Sequence, residues 1–393
     1  MFQGLSAEIK GLSLVSFFVA MGFGVQSPAL PVFANELGAG TSALGAMIAA
    51  FAVTRMVFAF PFGRLIGTWG ERRTLSIGMG LLALTSFASG LAETGWQLIF
   101  FRGLSGVGSA AFSVSAMSLL LRGSAPDSRG RAVGLFMGAM NLGFVAGPAV
   151  GGLLLALPPR WIFHIYGVAV AATGLLAMRV MTKDHASALA AVHTPAPAMG
   201  LMTALRSSTF RAALTTNFGL GWIVYGLRAS LLPLLLLNVW HEGPKWIGVG
   251  LAVCAIVQAG VLPYAGKLTD IWGRRSPLII GEILIVVSLA LLLIWPGLVS
   301  YMLCMAVMGL GAALCTTAAT AALADVTRGG GGTVSAAYQM AADFGMVIGP
   351  LAAGALAETS FDAALYLSAT VGALGIVTAI GMPRSAAKIA GAP

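Results

Sequence analysis

Gly63-Arg64-Leu65-Ile66-Gly67-Thr68-Trp69-Gly70-Glu71-Arg72-Arg73 returns 203 residues later as Gly266-Lys267-Leu268-Thr269-Asp270-Ile271-Trp272-Gly273-Arg274-Arg275. A second stretch repeats with nearly the same offset. Asn141-Leu142-Gly143-Phe144-Val145-Ala146-Gly147-Pro148, followed by Gly151, matches Asp343-Phe344-Gly345-Met346-Val347-Ile348-Gly349-Pro350, followed by Gly354. Such a repeat means that one structural unit is present twice, so the fold is read as a doubled one.

Outward from these stretches the chain is almost wholly apolar. Of its 393 residues 58% are apolar and 9% are charged, where a soluble domain carries roughly 25% charged residues. That composition excludes a soluble globular fold, and it excludes disorder, which needs many charges and few apolar groups. Twelve apolar runs reach the roughly 20 residues that a bilayer requires. They lie near 11–33, 42–62, 74–91, 96–121, 132–156, 161–181, 211–239, 245–265, 277–296, 299–324, 334–357 and 363–382. The runs are continuous rather than alternating, which disfavours a β-barrel. The expected fold is an all-α membrane protein with twelve transmembrane helices in two pseudo-symmetric six-helix bundles. The bundles span 1–181 and 211–393, joined by a linker over 182–210 that holds the longest polar gap. Cys254, Cys304 and Cys315 sit inside apolar runs, and the four histidines form no His-Glu-x-x-His pattern. Neither a metal nor a cofactor is expected.

Basic residues set the orientation. With both termini in the cytoplasm, the inner segments hold 17 of the 22 lysines and arginines, while the outer loops hold only Arg160 and Lys245 beside five acids. The net charge of +9 therefore reads as a topology signal in an inner or cytoplasmic membrane and not as a nucleic-acid surface. The partners expected are the lipid bilayer, a small-molecule substrate and protons, and the chain is expected to act as a monomer.

The repeated stretches resemble the major facilitator superfamily across essentially the whole chain. The superfamily's loop after span 2 reads Gly-x-Leu-x-Asp-Arg-x-Gly-Arg-Arg. The second copy matches through Gly266, Leu268, Asp270, Gly273, Arg274 and Arg275, whereas the first has Gly67 and Thr68 in place of the Asp-Arg pair. Arg102-Gly103-Leu104-Ser105-Gly106-Val107-Gly108 is similar to the motif of span 4, with Ser105 for Gln. Gly143, Gly147, Pro148 and Gly151 in span 5 look like the motif of proton-coupled exporters, although span 11 carries a similar Gly-Pro copy. The resemblance implies a helix hinge at these four residues, beside the plainer reading of close helix packing. It also implies that Arg72, Arg73, Arg274, Arg275 and Asp270 form gate latches that dock on the neighbouring half, Asp270 with Arg129 or Arg131. The plainer reading of those arginines is anchoring to anionic headgroups.

Charges inside a membrane are costly and mark function. They are Arg55, Arg102, Arg228, Glu282 and Asp343. Glu282 lies near the end of its span, so it is expected to snorkel to the interface. Helical spacing puts Arg102, Ser105 and Ser109 on one face of span 4, Asn217, Tyr225 and Arg228 on one face of span 7, and Gln339 with Asp343 on span 11. The resemblance implies that spans 1, 4, 7 and 10 line the cavity, which adds Gln26, Thr316 and Thr317. Two arginines among amides and aromatics suit an amphiphilic, neutral or anionic solute. The repeat, depth and resemblance together also suggest an Arg55–Asp343 ion pair and an Asn141–Gln258 amide pair between the halves. Asp343 is the expected proton carrier, with Arg55 and Arg102 as its charged company.

The function expected is secondary active transport by alternating access, as proton-coupled export of drugs or metabolites. Import of a polar metabolite, or a non-transporting scaffold or sensor, are the alternatives. No Gly-x-x-x-x-Gly-Lys-Ser/Thr loop is present to use ATP, and no nucleophile and base pair suggests an enzyme.

Overall fold

The structure, a computed structural model, describes residues 6–123, 129–180, 201–327 and 332–383. Every regular element among them is a helix. In chain order these are α1 (Ala7–Glu36), α2 (Thr41–Trp69), α3 (Glu71–Gly90), α4 (Gly95–Arg122), α5 (Arg129–Leu154) and α6 (Pro159–Val180). The short α7 (Leu201–Arg206) precedes α8 (Ser208–Val239), α9 (Lys245–Ile271), α10 (Arg275–Ile294), α11 (Leu298–Thr327), α12 (Gly332–Ala357) and α13 (Phe361–Ile380).

Among the described residues eleven helices are both long and apolar enough to cross a bilayer. The twelfth span is α3, whose twenty residues suffice in length but include Glu71, Arg72 and Arg73 in the first turn. Large apolar side chains stand outward along these helices: Leu153 is 80% and Ile294 82% exposed. A soluble protein does not tolerate so much exposed apolar surface, and lipid is the medium that does.

Side-chain caps fix the starts of α1, α4 and α13. The Ser6 hydroxyl accepts from the Ile9 N–H at 3.3 Å, and Thr94 and Gln97 form a reciprocal capping box on α4. The stretches Gly63–Arg73 and Gly266–Arg275, expected as loops, are instead helical almost throughout. Each is the last turns of one helix and the first of the next, joined at Gly70 (φ +79°) and Gly273 (φ +76°). Only a residue without Cβ adopts that left-handed geometry cheaply, so the repeated Gly is the turn itself.

The chain divides into two compact units. The first comprises Met1–Ala39 and Ala50–Pro195, and the second Gly40–Ala49 and Ala196–Pro393. The first turns of α2 group with the second unit, where the Thr41 hydroxyl donates to the Gly354 carbonyl at 3.0 Å and Ser42 to Glu358. The end of the expected linker is helical, as α7 and the start of α8, while residues 181–200 lie outside the described residues.

Within the first unit α1 packs along α5 and α6, and α3 along α4 and α6. Within the second, α8 packs along α12 and α13, and α10 along α11 and α13. The two patterns are the same with each span replaced by its repeat. Glycines allow the closest approaches. A Cβ on Gly143, Gly147 or Gly151 would run into the Phe17, Met21 or Val25 carbonyl, one α1 turn apart each time. In the second unit Gly345 meets Phe218 and Gly349 meets Trp222 in the same manner.

Spans 1 and 7 differ in one respect. Helix α1 has 30 residues and α8 has 32, and α8 contains two π-helical segments, Leu220–Leu227 and Leu235–Val239. The glycine contacts locate the extra residues. Phe17 corresponds to Phe218 and Met21 to Trp222, an offset of 201. Gly24 corresponds to Gly226, each lying against the equivalent proline, Pro148 or Pro350, an offset of 202. Gly38 corresponds to His241, both at positive φ, an offset of 203. Each π segment thus absorbs one additional residue, which keeps both faces of the helix in register with their neighbours.

Candidate functional site

In the first unit Arg102 projects from α4 into the packing of α1 and α2 and is 5% exposed. Its Nη1 donates to Gln26 Oε1 at 2.8 Å. Its guanidinium lies 4.8 Å from the Phe51 ring centroid and 5.4 Å from that of Phe23. These two rings pack on each other at 4.9 Å. Among the described residues no carboxylate pairs with Arg102, so a neutral amide and two aromatic faces hold the cation. Two donors have no partner, Arg102 Nε and Gln26 Nε2. Buried donors left open in this way are costly, and they fit a group that accepts hydrogen bonds.

In the second unit Arg228 projects from α8 between the two π segments. Its Nη1 donates to Cys254 Sγ at 3.0 Å and its Nε has no partner. Tyr225 lies beside Arg228 and Thr316, and the Thr316 hydroxyl makes no hydrogen bond of good geometry.

The repeat relates the two clusters. At the offset of 202, Gln26 takes the place of Arg228. Gly106 approaches the Phe51 carbonyl as Gly309 approaches that of Cys254, so Phe51 corresponds to Cys254 and Arg102 to Met305 at an offset of 203. Each unit therefore buries one arginine in the same three-helix packing. It comes from the fourth span in the first unit and from the seventh in the second. Both guanidinia touch the same repeat position, Phe51 or Cys254.

Other expected site residues are less open. The Ser105 hydroxyl is engaged by Thr85 at 2.8 Å and by the Phe101 carbonyl at 3.0 Å, so it faces α3. Asn217 Nδ2 donates to the Tyr338 carbonyl at 2.6 Å, tying α8 to α12. Thr317 bonds its own helix at Ala313. Gln339 is exposed, Asp343 and Gln258 are buried and Arg55 is half-buried. Arg55 belongs to the first unit, while Asp343 and Gln258 belong to the second. The side chains of Arg129, Arg131 and Asn141 lie outside the described residues.

Two of the expected latch arginines, Arg72 and Arg274, make contacts within their own units. Arg72 Nη2 donates to the Met178 carbonyl at 2.7 Å, at the C-terminal end of α6. Arg274 makes a two-point contact with Asp325, at 2.7 and 3.2 Å, and also bonds the Thr269 carbonyl. Asp270 is exposed and lies 3.6 Å from Arg274. Arg73 is exposed and Arg275 is half-buried. Helix C-termini and a nearby acid draw these cations locally.

Glu282 departs furthest from expectation. It is 2% exposed and turned into the second unit, not towards an interface. Depth along a span does not reveal which face a residue occupies. Phe23, Phe51 and Cys254 were not singled out by the sequence, although Phe23 lies three residues from Gln26 and so shares its face.

Comparison with known proteins agrees with this architecture. The family model for the Major Facilitator Superfamily matches residues 12–257 and 229–391. The quinolone resistance protein NorA of Staphylococcus aureus is 24% identical over 389 residues, covering 98% of this chain and 99% of that protein. The multidrug resistance protein 1 of Bacillus subtilis is 28% identical over 148 residues, 37% of this chain and 38% of that protein. Among solved structures, a bacterial homologue of the human lysosomal transporter Spinster, inward-facing and unoccupied, has a TM-score of 0.73 at 17% identity, covering 95% of this chain and 93% of its own. The nucleoside transporter NupG also has a TM-score of 0.73, at 13% identity, covering 95% of this chain and 99% of its own. A doubled six-span unit, a family match along nearly its whole length and these shared folds identify the chain as a multi-pass membrane transport protein that belongs to the Major Facilitator Superfamily.

Proposed function

We propose that the protein is a proton-driven exporter of small amphiphilic molecules that works as a monomer by alternating access, with both termini in the cytoplasm. The observation that carries this reading is the Arg102 cluster. A guanidinium on two aromatic faces, with its own Nε and the neighbouring Gln26 Nε2 unpartnered, suits a flat solute that carries a carbonyl or carboxylate. Arg228 with Tyr225 and Thr316 offers similar chemistry in the second unit. The full-length likeness to a quinolone resistance protein supports drug-like solutes of that kind. Asp343, buried on α12, is the proposed carboxyl through which a proton gradient acts, with Arg55 as its charged company. The test is purified protein in liposomes under an imposed pH gradient, with a fluorescent quinolone as the probe. Accumulation driven by outward proton flow against quinolone entry supports proton–solute exchange, and with it export. Accumulation only when proton and solute move in the same direction makes the protein an importer.

A further inference from the structure

We propose that the Glu282 carboxyl, enclosed by α8, α10, α11 and α13, is a proton-binding site of the transport cycle, separate from the two arginine clusters; the role in transport rests on the proton-driven reading above.

The repeat shows that the site is built for its polarity. Glu282 follows Gly281 as Met79 follows Gly78, and these two glycines make equivalent approaches to Gly311 and Gly108. Gly375 opens the space opposite the Glu282 carboxyl just as Gly174 opens it opposite Met79. In the first unit Met79 belongs to the hydrophobic core together with Val15 and Phe112. At the matching positions of the second unit stand Thr216 and Cys315, both beside Glu282. One copy of the fold therefore packs a thioether, an isopropyl and a phenyl group where the other places a carboxyl, a hydroxyl and a thiol. The fold itself does not require the polar set.

The set is also unsaturated. Glu282 Oε1 and Thr216 Oγ1 are buried and lack a hydrogen-bond partner of good geometry. Among the described residues no cation pairs with Glu282. Among the described residues the titratable group facing it is the Cys315 thiol on α11. Helix α8 presents Thr216, α13 presents Gly375, and the α10 residues one turn away, Leu278 and Ile285, are apolar. A carboxylate enclosed without a counter-charge is costly, so in this arrangement the group holds a proton. On release its O–H bond breaks and the proton passes to water. The hydroxyl and the thiol then each have a hydrogen to offer the carboxylate. The path for that water involves α8. Thr216 lies one turn before the π segment Leu220–Leu227, which Arg228 follows directly, so a shift at the arginine reaches the wall of the Glu282 site through one helix.

The experiment uses full-length protein in liposomes. Infrared difference spectra taken across a pH titration read the carbonyl stretch of a protonated carboxylic acid, and quinolone flux reads coupling. The variants are Glu282→Gln, Glu282→Met, which installs the residue of the other unit, and Glu282→Asp. Both Gln and Met variants should insert and unfold at or above the wild-type temperature. They should lose one buried-acid band and lose the gradient-driven component of flux, and Glu282→Asp should restore part of both. An unchanged band in Glu282→Gln, or full gradient response in a folded Glu282→Met, overturns the site. A wild type without gradient response overturns the proton-driven reading instead, and the infrared band still decides whether Glu282 holds the proton.

Discussion

Arg102 is held by an amide and two rings and not by an opposite charge, so its removal strands no buried carboxylate. We expect Arg102→Ala to insert and fold while its quinolone affinity falls at least about tenfold, roughly 1.4 kcal/mol. Arg102→Lys should fall in between, because an ammonium retains charge but not the planar fork that lies against Phe23 and Phe51. Tryptophan-quenching titrations on purified protein measure both, and unaltered binding in the alanine variant removes Arg102 from the solute site. For Asp343→Asn, solute binding should persist while the response to a pH gradient in liposomes disappears. Retained coupling would exclude Asp343 as the carrier. The sequence made both arginines legible, because a guanidinium within an apolar run stands out. It did not disclose that Phe51 and Cys254 are their neighbours, or that Ser105 is already bonded to Thr85. Those contacts cross between helices, and spacing along one helix carries no record of them.

The same distinction holds for helices. Their positions were legible to within a few residues, since each follows an apolar run between polar joints. The exception was the repeated Gly-Arg stretch, where charge suggested a loop and the backbone continued as helix up to a single glycine. Span 5 gives a direct test of packing. Gly147→Ala places a methyl against the Met21 carbonyl and Gly24, whereas Gly138 on the same helix has nothing within 4 Å of an added Cβ. We expect Gly147→Ala to destabilise by about 1–3 kcal/mol and Gly138→Ala to be neutral, read as unfolding temperature in detergent. Equal values would show that the glycine stripe does not hold α5 to α1. The π segments of α8 were not legible, because one added residue in an apolar run becomes visible only against its α-helical partner. Deleting Leu236 should convert the second segment to plain α-helix and still give folded protein. Deleting Val32 from α1 should turn the rest of that helix by about 100° and abolish folding. Yield of monodisperse protein separates the two outcomes.

For the whole molecule, the doubled architecture was legible because two copies of one pattern survive in the sequence. The orientation derived from basic residues makes a plain prediction. Cysteines introduced at Glu93 or Glu358 should react with an impermeant maleimide on intact cells, and those at Arg206 or Lys267 only after lysis. The opposite pattern would invert the topology. The paired helices α1 and α8 add a historical dimension. If the chain arose by fusion of two copies of one ancestral gene, α8 has since gained two codons, or α1 has lost two, one at each π segment. Single-codon changes inside a membrane helix are ordinarily lethal to its register, and here both were accommodated on either side of the arginine that only the second copy carries there. The halves have consequently ceased to be interchangeable parts. A gene encoding the first half twice would make a symmetric protein with no π turn and with its arginines on the fourth span of both halves, a likeness of that ancestor that can be synthesised.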